Sequence, residues 1–156
     1  FGKYGLRLHP KKTRLVPFER PAWDVTQPPP KPATFDMLGF THFWGLSRNG
    51  NWVIKRKTAK DRKRRALKAL NEWCRANRHR PVPEQWRVLY RKLRGLYAYY
   101  GIIGNVHSLQ GLWFRVRRIW KKWLNRRSQR GRMPWARFHQ LLRAFPLPMP
   151  YRMVQA

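Results

Sequence analysis

Acidic residues, cysteine and long apolar runs are the scarcest features of this 156-residue sequence. Six Asp and Glu stand against 36 Lys and Arg, which gives a formal net charge of +30. The one cysteine, Cys74, excludes an internal disulfide and argues against a zinc finger. No apolar run approaches the ~20 residues that span a bilayer. We therefore expect a protein of a reducing, cytoplasmic compartment that does not enter the membrane.

The excess of positive charge indicates an anionic partner. Like charges repel one another on a compact domain, and a polyanion relieves this repulsion while releasing its condensed counterions. Nucleic acid is the leading candidate and an anionic membrane surface the second. Apolar residues make up 42% of the chain and aromatic residues 15%, which is enough for a folded core.

Residues with the spacing of a catalytic or metal site are not found. The six acids are scattered, and no two are spaced to chelate magnesium for phosphoryl transfer. The five histidines show no ligand spacing, and the segment 101–104 lacks the Lys and Ser/Thr of a P-loop. Asp36 is the one acid that we retain as a functional candidate. We expect no catalytic residue, metal ligand or cofactor site in this chain.

The fold is expected to be α+β and mainly α, with a sheet fragment before a helical bundle. The first 57 residues carry strand and loop signals: a β-prone run at 13–18, a loop with five prolines at 20–33, and strands at 34–45 and 52–57. Asn49-Gly50 predicts a two-residue hairpin turn between these strands, with positive φ at both positions. Residues 146–156 are expected to be a mobile tail.

From Thr58 onward the apolar residues recur with helical spacing. Thr58 is the predicted cap of the first helix, with Asp61 completing a capping-box variant, and Ser108 is the predicted cap of the third. The three predicted bundle helices run from Thr58 to about Asn77, over about 83–100, and over about 108–126. A short fourth helix is expected to have Pro134 at its first position.

Basic and aromatic residues occupy different stripes of these helices. The basic stripes are Arg87, Arg91 and Arg94 on the second helix, and Arg115, Arg118 and Lys122 on the third. Such stripes can line a groove and follow phosphates, although a solvated exterior is the plain alternative. The tryptophans at core spacing are predicted to be buried: Trp86, Trp113, Trp120 and Trp123. Tyr99 lies off the apolar stripe, and Gly95 permits close approach by either a packed helix or RNA.

Five segments occur in a recognisable order: YGLRLHPKKT (4–13), TFDMLGF (34–40), RKTAKDR (56–62), KLRGLYAYYGIIGN (92–105) and WKKWLNRRSQRGRMPWARFHQLL (120–142). This order resembles the C-terminal part of a bacterial group II intron reverse transcriptase/maturase, and it covers nearly the whole chain. The resemblance implies that residues 1–57 end the palm and that 58–145 form the thumb or maturase (X) domain. The Leu38-Gly39-Phe40 turn resembles the primer grip, which supports the primer strand near its 3′ end.

The same resemblance implies what the chain lacks. The Tyr-Xaa-Asp-Asp block with the metal-binding aspartates would lie upstream of Phe1, together with the fingers and most of the palm. We therefore expect a fragment that cannot synthesise DNA by itself, with magnesium bound only by that upstream palm. The implied partners are intron RNA, an RNA–DNA template–primer duplex and the upstream portion of the polymerase. The alternatives are a free-standing basic RNA-binding protein of the ribosome-associated type and a membrane-surface protein.

The candidate site residues come from the basic stripes and from the family resemblance. The primer-grip-like residues are Leu38, Gly39 and Phe40. The candidate RNA-binding residues are Lys12, Arg56, Lys57, Lys60, Lys63, Arg64, Arg87, Arg91, Lys92, Arg94, Gly95, Tyr99, Arg115, Arg118, Lys122, Arg126 and Arg127. We predict electrostatic, shape-based binding of structured RNA or an RNA–DNA duplex, without sequence-specific base reading.

Overall fold

The computed structural model describes residue 5 and residues 15–21, 33–128 and 131–150. Three strands and then four helices follow one another along these ranges: β1 (Phe35–Met37), β2 (Phe40–Leu46), β3 (Trp52–Thr58), α1 (Lys60–Ala76), α2 (Val82–Tyr100), α3 (Val106–Asn125) and α4 (Trp135–Ala144). The predicted α+β, mainly helical fold is confirmed. No helix in the described ranges combines the length and the apolar character needed to cross a bilayer.

The chain divides into two compact units, residues 1–55 and residues 56–156. The division falls inside β3, close to the predicted boundary after residue 57. We refer to these as the sheet unit and the helical unit.

The three strands form an antiparallel sheet in the order β1-β2-β3. The stretch 34–45, which its composition predicted as one strand, is folded back on itself at Leu38-Gly39, where the resemblance implied a turn. Met37 therefore pairs with Phe40. Gly39 makes this turn possible, because its φ of 81° is one that glycine adopts readily. The β-prone run at 13–18 forms no strand in its described part, where Pro17 has no N–H to donate to a sheet.

The hairpin between β2 and β3 is confirmed, but its predicted two-residue turn is wrong. Of Asn49 and Gly50, only Gly50 has a positive φ, at 79°. The Ser47 amide donates to the Asn51 carbonyl at 2.8 Å, and the Gly50 amide donates to the Ser47 carbonyl at 3.2 Å. This pattern fits a three-residue loop with glycine at its left-handed position.

A core rich in tryptophan and leucine joins the four helices. It contains fully or nearly fully buried side chains from each of them, among which are Leu70, Leu89, Leu93, Val116, Trp120 and Phe138. The tryptophan prediction is confirmed for Trp113, Trp120 and Trp123, which are buried. Trp86 is half-buried and packs against this cluster.

The predicted helix caps are wrong, and at Thr58 long-range hydrogen bonds take the place of the cap. Thr58 is the last residue of β3, and no side chain caps α1. The Thr58 amide donates to Asn105 Oδ1 at 2.9 Å, and Asn105 Nδ2 donates to the Thr58 hydroxyl at 2.8 Å. Asn105 is fully buried and α3 begins directly after it, so Ser108 lies inside the helix. Pro134 precedes α4 instead of being its first residue.

Residues 146–150, predicted as part of a mobile tail, lie against the helices. Leu147 is 5% exposed and packs in the core, and Pro150 is fully buried. The Trp86 indole N–H donates to the Pro146 carbonyl at 2.9 Å. The remainder of the predicted tail, 151–156, lies outside the described residues.

Burial of Cys74 leads to a prediction about stability at alkaline pH. Cys74 is 0% exposed, and burial raises the pKa of its thiol from 9.0 to about 12. Between these values the folded chain holds a proton that the unfolded chain has lost, so stability falls as pH rises. We expect a loss of up to about 1.4 kcal/mol per pH unit from this group. Buried Tyr97, whose pKa is also raised, acts in the same direction.

Urea unfolding of the chain and of a Cys74→Ala variant between pH 8.5 and 11 measures this effect. The variant is expected to lose free energy of unfolding more gradually with pH than the unchanged chain. Parallel losses in the two proteins would show that Cys74 does not hold its proton in the folded state.

Candidate nucleic-acid interface

Two of the three acidic residues of the helical unit, Asp61 and Glu72, form ion pairs with cations of α1, and the third, Glu84, lies in the first turn of α2. Asp61 lies 3.5 Å from Arg62 and 3.8 Å from Arg65, and Glu72 lies 3.9 Å from Lys68. Among the described residues, no cation of α2, α3 or α4 is within ion-pair distance of an acid. Those three helices therefore present positive charge that the protein itself leaves without an acidic partner.

The basic stripe of α2 is exposed along its length. Arg87 and Arg91 line a shallow groove of about 470 Å³ together with Trp86 and Tyr90. Tyr90 also borders a larger cavity, of about 710 Å³, that Arg94 lines. We call Arg87, Arg91 and Arg94 the α2 track. The predicted stripe is therefore present as a surface feature of the folded helix.

The basic stripe of α3 is also exposed, and aromatic contacts support its C-terminal half. Arg115, Arg118, Lys122 and Arg126 are all exposed and follow helical spacing. The Lys122 ammonium lies 5.1 Å and the Arg126 guanidinium 5.3 Å from the centre of the Trp123 ring. These cation–π contacts hold the two side chains while their charges stay accessible.

Arg126 also borders a cleft at one end of the helical unit. This basic cleft has a volume of about 780 Å³, and its cationic lining residues are Arg78, Lys121, Arg126, Arg127 and Arg132. The segment before α4 is fixed there by the Met133 amide, which donates to Asn125 Oδ1 at 3.0 Å. No acidic residue is among those that line the cleft, so it is suited to an anion.

Two predicted RNA-binding cations bond to the protein itself. Lys63 donates to the Ser108 carbonyl at 2.9 Å, and its pKa is lowered by burial and by the nearby charge of Arg115. Arg127 donates to the carbonyls of Arg78 and Arg80, and burial lowers its pKa. Both side chains hold helices and loops together, and their contact with RNA stays a prediction.

Contact with RNA also stays a prediction for the remaining candidate residues. Five further cations are exposed: Arg56, Lys57, Lys60, Arg64 and Lys92. Tyr99 is 56% exposed. Outside its own helix backbone and chain neighbours, no heavy atom of the described residues lies within 4 Å of where a Cβ on Gly95 would be, so no described helix packs closely against Gly95. Lys12 lies outside the described residues.

Sequence reasoning missed several cations that the fold gathers. Arg78, Lys121 and Arg132 line the basic cleft, and Arg117 and Arg143 line the cavity beside Arg94. A signal existed for Arg117, because it follows Trp113 by four residues on one helix. Its guanidinium lies 4.4 Å from the centre of that ring. The others come together only through tertiary structure.

Of the primer-grip-like residues, Leu38 and Gly39 form the turn between β1 and β2, and Phe40 is the first residue of β2. Leu38 has a φ of 51°, and its side chain is 74% exposed. Next to the turn, the Thr41 hydroxyl donates to Asp36 Oδ1 at 2.5 Å across the strand pair. Asp36 therefore has a structural partner in the hairpin. A positive φ is energetically unfavourable for leucine, and burial of this exposed side chain does not offset the strain. We therefore regard Leu38 as a functional candidate.

This backbone strain leads to a stability prediction. Left-handed conformation costs an L-residue such as leucine roughly 1–2 kcal/mol, and asparagine tolerates it better. Leu38→Asn also creates the Asn-Gly pair that such turns favour. We expect the variant to increase hydrogen-exchange protection of the β1–β2 amides about fivefold, which corresponds to about 1 kcal/mol. Reduced protection would mean that contacts of the leucine side chain outweigh its strain.

Comparisons with protein-family models, with curated proteins and with solved structures found no match. The basis for a function is therefore the geometry of the chain, together with the resemblance of its segments described above.

Proposed function

We propose that this chain is an RNA-binding module that grips structured RNA or an RNA–DNA duplex through its helical unit. The observation that supports this proposal is the α2 track together with the basic cleft, whose cations have no acidic partner among the described residues. A phosphodiester backbone supplies the missing negative charge in regularly spaced form, and its binding releases condensed counterions.

Shape and charge dominate this mode of binding. The exposed cations of α2 and α3 contact phosphates, which positions the protein on a duplex without reading its sequence. The A-form duplex has a major groove too deep and narrow for side chains, so its backbone and 2′-hydroxyls are the accessible features. Exposed Tyr99 is suited to stack on a sugar or base at the edge of such a contact.

We further propose that the module is the thumb, with the end of the palm, of a group II intron reverse transcriptase/maturase. Two features support this assignment: the order of the five resembling segments, and the exposed Leu38-Gly39 turn where the resemblance places a primer grip. In the full polymerase, the helices would hold the template–primer duplex and intron RNA. The sheet turn would support the primer strand.

Complementation tests the polymerase assignment. The chain is mixed with a separately expressed fingers–palm fragment of a group II intron reverse transcriptase that carries the Tyr-Xaa-Asp-Asp block, and RNA-templated primer extension is measured. We expect extension from the mixture and none from either part alone. The control is the same fragment with both aspartates replaced by asparagine, which should extend nothing.

The other outcomes separate the alternatives. Duplex RNA binding without restored extension would contradict the thumb assignment in favour of a free-standing RNA-binding protein. Flotation with anionic liposomes that excess duplex RNA fails to reverse would contradict RNA binding itself in favour of a membrane surface.

A further inference from the structure

A second cavity of the helical unit differs from the basic cleft in having a large apolar wall. It has a volume of about 710 Å³ and lies among α2, α3, α4 and the segment 146–149. Its cations come one from each helix: Arg94, Arg117 and Arg143. Its apolar wall includes Trp113, Leu142, Leu147 and Met149. No acidic residue is among those that line it.

Two buried donors in this lining have no acceptor among the described residues. They are Nε of Arg117 and the indole N–H of Trp113, whose side chain is 9% exposed. The Arg117 guanidinium lies on the Trp113 ring, 4.4 Å from its centre, and burial lowers the pKa of Arg117. Buried donors without acceptors destabilise a fold. Both belong to residues that line the cavity, so a ligand with acceptor oxygens is suited to pair with them once their side chains turn toward it.

The lining restricts the chemistry of that ligand. Three arginines and no acid favour an anion, and arginine is suited to phosphate because its planar fork donates two parallel hydrogen bonds. The apolar wall is larger than a bare phosphate can use. A flat, weakly polar group attached to a phosphate would contact both the apolar wall and the arginines. The volume of the cavity falls in the range of about 300–1,000 Å³ that is usual for small-molecule sites.

We propose that this cavity binds one unpaired nucleotide of the RNA, with its base against the apolar wall and its phosphate at the three arginines. This inference rests on the proposed function. Tyr90 borders both the cavity and the groove of Arg87 and Arg91. A backbone that follows the α2 track therefore arrives at the mouth of the cavity, where an unstacked nucleotide can enter it.

Calorimetric titration of the full chain with adenosine 5′-monophosphate tests the cavity directly. We expect it to bind at least about 10-fold more tightly than either adenosine or inorganic phosphate, because each of these supplies only half of the contacts. Inorganic phosphate that binds as tightly as the nucleotide would overturn the proposal. So would the absence of nucleotide binding, or tighter binding of tetraglutamate, which would indicate an acidic peptide partner.

An arginine of the cavity and an exposed arginine outside it provide a matched pair of variants. Arg117→Met is expected to weaken nucleotide binding about 10-fold through the loss of a charged hydrogen-bond donor. Arg137→Met removes the same charge from an exposed position of α4 outside this lining and should leave that affinity unchanged. Because Arg117 packs on Trp113, its variant is checked by circular dichroism. Arg143→Met, at an exposed position of the same cavity, gives the same expected loss if Arg117→Met fails to fold.

Fully paired and bulged duplexes distinguish nucleotide binding in the cavity from duplex binding by the helical unit. A duplex RNA with one bulged nucleotide should bind more tightly than the fully paired duplex, and Arg117→Met should abolish that difference while leaving the affinity for the paired duplex within about twofold. Equal affinity for the two duplexes would overturn the cavity proposal alone. Failure of both duplexes to bind, with mononucleotide binding intact, would overturn the proposed duplex grip and leave the cavity as a nucleotide site.

Discussion

An R87Q/R91Q/R126Q variant is expected to bind duplex RNA about 100-fold more weakly than the unchanged chain at about 0.1 M salt. The three arginines are exposed, and none has an acidic partner among the described residues. If each contacts one phosphate, their loss also flattens the log–log dependence of affinity on salt by about 3 units. Fluorescence anisotropy with a labelled duplex, repeated at several salt concentrations, measures both quantities.

An R62Q/R65Q/K68Q variant provides the matched control, because it removes the same total charge from α1. These three cations are within ion-pair distance of Asp61 or Glu72. Their removal lowers the long-range attraction of the chain for RNA but removes no contact of the proposed surface. We expect less than a 10-fold loss of affinity from this variant. Equal losses in the two variants would mean that net charge alone, and no particular surface, determines binding.

A Gln85→Leu variant is expected to lose about 3–4 kcal/mol of free energy of unfolding. Gln85 is 1% exposed, and its Nε2 donates to the carbonyls of Asn77, Arg78 and Arg80 at 2.9–3.1 Å. Its Oε1 accepts the indole N–H of Trp120 at 3.0 Å. Leucine fills a similar volume but leaves that buried indole N–H without its acceptor and removes the donor from three carbonyls.

Urea unfolding followed by tryptophan fluorescence measures this loss. Gln140→Leu, at an exposed position of α4, is the control and should change stability by less than about 0.5 kcal/mol. A Gln85→Leu variant as stable as this control would show that the buried network contributes nothing. The same network supports the basic cleft, because Arg127 donates to two of the carbonyls that Gln85 holds.

Helix positions were predictable from the sequence because periodicity is a local property. The apolar spacing predicted a helix over about 83–100, and α2 occupies Val82–Tyr100. Cap residues were less predictable, since a threonine before a helix can bond either to the helix or to a distant side chain. Thr58 bonds to Asn105, 47 positions along the chain. No local pattern encodes that choice.

The prediction of the strand boundaries was wrong for a related reason. The run 34–45 carries a continuous β signal, and a leucine does not predict the positive φ that Leu38 adopts. The fold places β1 against β2 in spite of this local cost. The local pattern of residues favoured a single strand. Hydrogen bonding between β1 and β2 instead determines where each strand ends.

The sequence predicted the basic stripes of the candidate interface, but it did not predict which cations line a common cavity. Spacing identified Arg87, Arg91 and Arg118, which are exposed. It could not identify the gathering of Arg94, Arg117 and Arg143 from three helices into one cavity. It also could not show that Lys63 bonds to the Ser108 carbonyl of α3. Which cations remain available to a partner depends on tertiary packing, and a single sequence does not display that packing.

The most direct test of RNA binding by the helical unit is the salt dependence of its affinity for a duplex RNA. About six phosphate contacts predict a log–log slope near −5. A slope between 0 and −1 would contradict a grip through phosphates, whatever the affinity at low salt.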